Sequence, residues 1–260
     1  MSSFSPVSAS YWSALPLGAG VTVLRHDPSG LAALAKPAGV LSHPNQNSEN
    51  PRALLTAEYS IDGEHWTWPG EGTDSAPRRL WLLNRLDSAT SGVILVAASE
   101  ELAKAIRLLF RQKHVHKVYQ ALVFGTPSRP HEIWQDRLAT ERRGGRVRTD
   151  RGGNIPASSA MTLVRQARQP KTGLSLIQLE PRTGRSHQLR VQCAERHLPI
   201  VGDANYGDFK LNKAYAKATG EKRLFLHSLS TDFDYPWADK THHFAAIAPL
   251  PEAFTTALNA

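Results

Sequence analysis

Residues 84–97 read NRLDSATSGVILVA. Val93 to Val96 form a short apolar run that enters behind a Thr-Ser-Gly turn, and such a run reads as a buried strand. Ahead of it stand Arg85 and Asp87, two residues apart and followed by small hydroxyl residues. An Asp in that setting is ordinarily a solvated turn or a cap, since its carboxylate accepts backbone N–H groups two or three residues on. Any chemical role for Asp87 has to improve on that explanation.

Working outward, Leu102, Ile106, Leu109 and Phe110 fall at i, i+4, i+7 and i+8, so the spacing predicts a helix over 100–112 directly after the strand. Upstream, VTVLRHDPSGLAALAKPAGVLSHP (21–44) holds two apolar runs split by Asp27-Pro28-Ser29-Gly30, the pattern of a strand pair. Residues 45–80 are polar and rich in turn residues, and read as a long excursion. KVYQALVFG (117–125) and LSLIQLE (174–180) are further strands. RSHQLRVQCAERH (185–197) reads as a short helix capped by Ser186, with Leu189 and Cys193 inward. Strands outnumber helices without a steady βαβ alternation, which predicts an α+β fold with a mixed sheet.

The chain has 260 residues, 41% of them hydrophobic, enough for a packed core. Thirty-one Lys and Arg against 23 Asp and Glu give a net charge of +8, which favours a polyanionic partner. The single cysteine, Cys193, cannot form an internal disulfide and fits a reducing compartment. The first basic residue is Arg25, so no secretory leader is expected, and no apolar run is long enough to span a bilayer. A cytoplasmic protein with no membrane association is the expectation, and residues 1–20, rich in Ser, Ala and Gly, read as a loosely held arm. There is no phosphate-binding glycine loop, no dinucleotide fingerprint, no H-E-x-x-H and no Cys pair. His114/His116 and His242/His243 lack carboxylate or thiolate partners at ligand spacing, so no metal is expected.

Five separated motifs remain: NRLDSATSG (84–92), HKVYQALVFG (116–125), EPRTGRSHQLRVQ (180–192), PIVGDANYG (199–207) and LFLHS (224–228). In this order they resemble the RluA branch of the pseudouridine synthases, whose patterns run H-R-L-D-x-x-T-S-G, K-x-Y-x-A-x-V-x-G, P-x-T-G-R-x-H-Q-I/L-R and P-I-x-G-D-x-x-Y-G. The resemblance covers about residues 21–250. Asn84 stands where that family usually has His, and Gln192 where His is common.

The resemblance implies an isomerase that breaks the N1–C1′ bond of uridine, turns the uracil and rejoins it through C5. Nothing is added or removed overall, so no cofactor is expected. The reacting carboxylate would be Asp87, as a nucleophile at C1′ or C6 or as a base at C2′. Arg190 would be the cation that favours its ionised form. Tyr119 would stack on the uracil and assist proton removal at C5, and Leu226 would wall the base. Arg85 would fill the gap left when the uridine is flipped out of its stack. Gly202, Asp203, Tyr206 and Gly207 are taken as mainly structural, with Asp203 able to orient a basic residue.

The resemblance further implies a bent, mainly antiparallel sheet with flanking helices and a central basic cleft. ERRGGRVRTDRGG (141–153) places five arginines among four glycines between two strands. With structured rRNA or tRNA as the partner, Arg142, Arg143, Arg146 and Arg148 become a phosphate-gripping hairpin. Residues 21–260 are expected to form one catalytic domain acting as a monomer, with no separate N-terminal RNA-binding domain. Two rival classes remain: a non-catalytic RNA-binding protein on the same fold, and a carboxylate-dependent glycosidase acting on nucleosides, which would not call for so basic a surface.

Overall fold

The computed structural model describes residues 6–70, 76–143, 146–167 and 173–259, with the side chains of 142–147 outside that description. The chain divides into two compact units, residues 1–115 with 230–248 and residues 116–229 with 249–260.

The first unit is organised by β6 (Ser91–Ala97), all seven residues of which are buried. Val93, Leu95 and Ala97 pack with Leu102, Ala103, Ile106, Phe233 and Phe244. Ile94 and Val96, on the other face, pack with Trp12, Leu54, Leu55, Trp66 and Leu80. A strand covered on both faces needs an unbroken apolar run, which is why 93–96 does not alternate. β1 (Thr22–His26) and β2 (Leu31–Lys36) form the expected antiparallel hairpin, and β2 pairs antiparallel with β6 from Leu31↔Ala97 to Lys36↔Gly92. Between them Asp27 accepts from Leu31 N (3.2 Å) and from Tyr235 Oη (2.6 Å), while Gly30 takes φ +93°.

Helix α2 (Glu100–Gln112) occupies the predicted span. Ser99 caps it, its Oγ accepting from Leu102 N (3.3 Å), and Leu102, Ala103 and Ile106 face the core. β13 (Lys240–Ile247) pairs antiparallel with the Ser230–Trp237 part of β12 (Leu226–Trp237).

In the first unit two local expectations change. Residues 45–80, read as an excursion, contain β3 (Glu58–Ser60) and β4 (His65–Trp68) and lead into β5 (Arg78–Leu82). These form an antiparallel meander whose last strand meets β6 through Leu82↔Val96. Strands of three to five residues are too short to show a period, yet Trp66, Trp68 and Leu80 are all buried. The start of the chain, read as a loose arm, carries α1 (Ala9–Ser13). Its Trp12 is buried in the same core and stacks on His26 at 5.6 Å, and Val7 N donates to Pro28 O (3.0 Å).

The second unit holds an antiparallel sheet in the order β7 (His116–Phe124), β11 (Leu174–Pro181), β10 (Ile155–Gln166), β8 (His131–Arg143), β9 (Arg146–Arg151). Helices α3 (Gln188–Glu195), α4 (Phe209–Thr219) and α5 (Glu252–Asn259) accompany it. Leu189 and Cys193 point inward as expected, and so does every residue from Gln188 to Cys193. Ser186 is not the cap. His187 takes the N-cap position at φ +53° without a side-chain cap bond. Gln188 instead turns its Oε1 back to accept from Arg185 N (3.2 Å) and Thr183 Oγ1 (2.7 Å). The architecture is α+β, and no helix among the described residues is long and apolar enough to cross a membrane.

Because Trp12 fills the first unit's core, Trp12→Ala should lower the unfolding free energy by about 3–5 kcal/mol, the range for deleting a buried aromatic. Urea denaturation measures it. A loss under about 1 kcal/mol would mean the N-terminal segment is loosely held after all.

Candidate active site

In the first unit, residues 84–90 form the turn that enters β6, and its backbone is held from several sides. Asn84 Oδ1 accepts from Leu95 N (2.8 Å), so the residue that departs from the family pattern stitches the loop to the strand. Leu86 is buried, its N–H donating to Ser42 Oγ (2.9 Å) while Ser42 Oγ donates back to Leu86 O (2.6 Å). Ser88 O accepts from Gly39 N (2.7 Å) and from Lys36 Nζ (2.9 Å). Thr90 N closes the turn onto Asp87 O (3.0 Å). Asp87 itself is half-buried, carried on a backbone with little freedom to move.

Lys36 is the residue that reading the sequence missed as functional, although it lies inside the strand-pair stretch 21–44. Only 1% of it is exposed, and its Nζ donates to three carbonyls, those of Pro37 (3.0 Å), Val40 (2.7 Å) and Ser88. Burial brings its pKa down to about 7, with the charge of Asp87 partly opposing the shift. Arg85 is exposed, with Nη1 3.5 Å from His43 Nε2, and His43 stacks on Tyr59 at 5.1 Å. A planar cation is therefore presented at the protein surface two residues from Asp87 in sequence.

In the second unit, Arg190 lies on the buried helix α3 and forms a two-pronged pair with Asp203, Nε to Oδ2 and Nη2 to Oδ1, both 2.7 Å. Asp203 is 2% exposed; burial would raise its pKa, but Arg190 and the N–H groups of Tyr206 and Asn205 outweigh burial and hold it below the ordinary value. Asp203 thus orients a basic side chain, as the reading of PIVGDANYG allowed. The guanidinium also sits 5.1 Å over the Tyr206 ring. Tyr206 Oη bonds His187 Nδ1 (2.8 Å) and accepts from Thr149 N (3.0 Å). Gly202 is obligatory, since a Cβ there would lie 1.8 Å from Arg223 O.

Tyr119 is half-buried on β7 opposite Leu179, and Leu226 is buried at the start of β12. Gln192, the other departure, is buried, accepting from Ser159 Oγ (2.8 Å) and donating to Asp136 (2.7 Å). The arginine-glycine stretch is a hairpin with Arg142↔Val147 and Arg143↔Arg146 in register. The side chains of Arg142, Arg143 and Arg146 lie outside the described residues. Arg148 is exposed and pairs with Asp150 (3.3 Å). The hairpin's base is tied down at Thr149, whose Oγ1 donates to Ser186 O (2.9 Å).

The fold is α+β, with Asp87 on an anchored loop of the first unit and, in the second, Tyr119 on a strand and Arg190 clamped by Asp203. The chain belongs to the RNA pseudouridylate synthase family, which matches residues 30–195. Its members convert uridine in RNA to pseudouridine, and this chain is such an isomerase of the RluA type. Similar proteins include tRNA pseudouridine synthase C of Pasteurella multocida (strain Pm70), 32% identical over 82% of this chain and 86% of that protein. Ribosomal large subunit pseudouridine synthase C of Vibrio cholerae serotype O1 (strain ATCC 39315 / El Tor Inaba N16961) is 32% identical over 68% of this chain and 55% of that protein. The solved structure of human RNA Pseudouridylate Synthase Domain Containing 4 shares the fold, with a TM-score of 0.66 at 23% identity, covering 96% of this chain and 94% of that one.

Lys36 sets a pH dependence. Its folded pKa of about 7 lies below the ordinary lysine value of about 10.4, so between the two the unfolded chain binds more protons. Its destabilising contribution is complete below about pH 7 and is relieved as pH rises towards about 10. Over that window Lys36→Met should reduce the upward slope of unfolding free energy against pH by about one proton, measured by urea titrations. An unchanged slope would mean that Lys36 stays charged in the folded protein.

Proposed function

We propose that this chain isomerises a uridine of transfer RNA, with Asp87 as the reacting carboxylate. The observation that carries the assignment of Asp87 is the immobilised loop beneath it: Lys36, Gly39 and Ser42 grip the carbonyls or N–H on either side of the residue. Preorganisation of this kind is what a reaction at a single sugar carbon needs. Tyr119 stacks on the uracil, Arg190 supplies positive charge to the reaction, and Leu226 lines the base. The N1–C1′ bond breaks, a C5–C1′ bond forms, the C5 proton leaves and N1 takes up a proton.

Transfer RNA is favoured because the relatives named for it match along most of their length, 86% in the Pasteurella protein, against 55% in the Vibrio cholerae protein named for the large ribosomal subunit. The β8–β9 hairpin supports a phosphate grip by Arg142, Arg143, Arg146 and Arg148, since its base is fixed at Thr149. We take the protein to work as a cytoplasmic monomer; the buried, unpaired Cys193 agrees with a reducing setting.

Tritium release from C5-labelled uridine in unmodified tRNA reads the reaction directly. Asp87→Asn should abolish release while RNA affinity stays within a few-fold, because removing a negative charge does not weaken attraction to phosphate. Turnover near the wild-type rate would end the assignment.

Arg85 is proposed to stabilise the flipped-out state. Extruding a stacked base costs a few kcal/mol, least where the base is already unstacked. Arg85→Ala should therefore slow a uridine in a structured stem-loop far more than the same uridine in a short flexible oligonucleotide. Each ~1.4 kcal/mol of lost support appears as about a tenfold difference. Equal slowing of both in single-turnover reactions at saturating enzyme would rule the role out.

A further inference from the structure

Among the described residues Lys117 is a cation with no counter-charge. It stands on β7 two residues before Tyr119, so strand alternation puts both half-buried side chains on one face, while Val118 between them is buried on the other. Lys117 makes neither a hydrogen bond nor an ion pair with any described residue. The carboxylate close by in the sheet, Glu180, is engaged by His116 Nε2 (3.0 Å) and Gln178 Nε2 (2.7 Å). Its ammonium approaches Gly184, lying 3.8 Å from the place a Cβ there would occupy, so it faces the Thr183-Gly184-Arg185 turn that leads into α3.

Two other buried cations are handled differently. Lys36 donates to three carbonyls and Arg190 is clamped by Asp203. Burial lowers the pKa of Lys117 below the ordinary lysine value, and no neighbouring charge offsets it. A partly desolvated charge without a partner is a net cost to the free protein. The cost is recovered when a ligand brings an anion, and the ligand of this enzyme is a chain of phosphates.

We propose that Lys117 binds a phosphate of the substrate RNA beside the target uridine. This rests on the reading of Tyr119 as the residue that stacks on the uracil, because the shared strand face puts the ammonium next to that nucleotide. Lys117 is thus a substrate-binding residue, absent from the set suggested by resemblance although it lies within HKVYQALVFG.

The test compares wild type, Lys117→Met and Lys117→Arg on an unmodified tRNA transcript, by equilibrium binding at rising KCl and by single-turnover tritium release. Lys117→Met should bind about tenfold more weakly at low salt, the worth of one charge-assisted contact. Its log affinity against log salt should be shallower by about 0.7–0.9, the value for one lost phosphate contact. The loss should fall on affinity more than on the rate at saturating enzyme, and Lys117→Arg should restore most of the salt slope. The free Lys117→Met protein should melt no lower than wild type, since an unpaired buried charge has been removed. An unchanged salt slope overturns the proposal, and so does a lowered melting temperature, which would make Lys117 a structural residue. If wild type released no tritium, the proposed reaction on this RNA would fail while the binding comparison still tested the phosphate contact.

Discussion

The first unit depends on burying both faces of β6. A strand covered on one side can tolerate polar residues at every second position; one covered on both cannot, and Val93–Val96 carries none. Two cores meet on this strand, and the β2 pairing fixes its register from Leu31↔Ala97 to Lys36↔Gly92. The turn that carries Asp87 ends where this rigid element begins. A reactive carboxylate on an otherwise irregular loop is thereby positioned with the precision of a sheet.

Charge is kept inside the protein in two different ways. Lys36 is buried among backbone carbonyls, where an ammonium can satisfy its donors only by holding the loop in one conformation. Arg190 is buried against Asp203 in a planar two-point pair, which sets the direction of the guanidinium as well as its charge. Neither arrangement is an inexpensive source of stability, since each removes ions from water. Their common effect is orientation. Asp203 in turn accepts the N–H groups of Asn205 and Tyr206, so the DANYG turn is folded around the carboxylate that aims Arg190.

Elements with a long period or an unbroken apolar run were legible in the sequence. α2 matched its predicted limits because Leu102, Ile106, Leu109 and Phe110 repeat on one helical face. β7 and β11 were legible as apolar runs bounded by Gly, Pro or charge. The meander of β3, β4 and β5 was not, because strands of three to five residues hold too few positions to show alternation and turn residues dominate their surroundings. The cap of α3 was misplaced for a related reason. Ser186 has the right chemistry, but the helix starts one residue later than that reading needs, with His187 at the N-cap position in a left-handed conformation and no side-chain cap bond.

From sequence came the α+β class, the strand behind Asp87, the basic character and the ordered motifs that point to an RNA isomerase. Those features are local or compositional, and each is carried by the identities and spacing of neighbouring residues. Tertiary structure decided which polar groups are satisfied and by whom. It assigned Lys36 to the carbonyl of Ser88, 52 positions away, and Arg190 to Asp203, and among the described residues it left Lys117 without an anion. Whether a buried charge is paired depends on what lies within about 3–4 Å of it in space, and spacing along the chain does not report that distance.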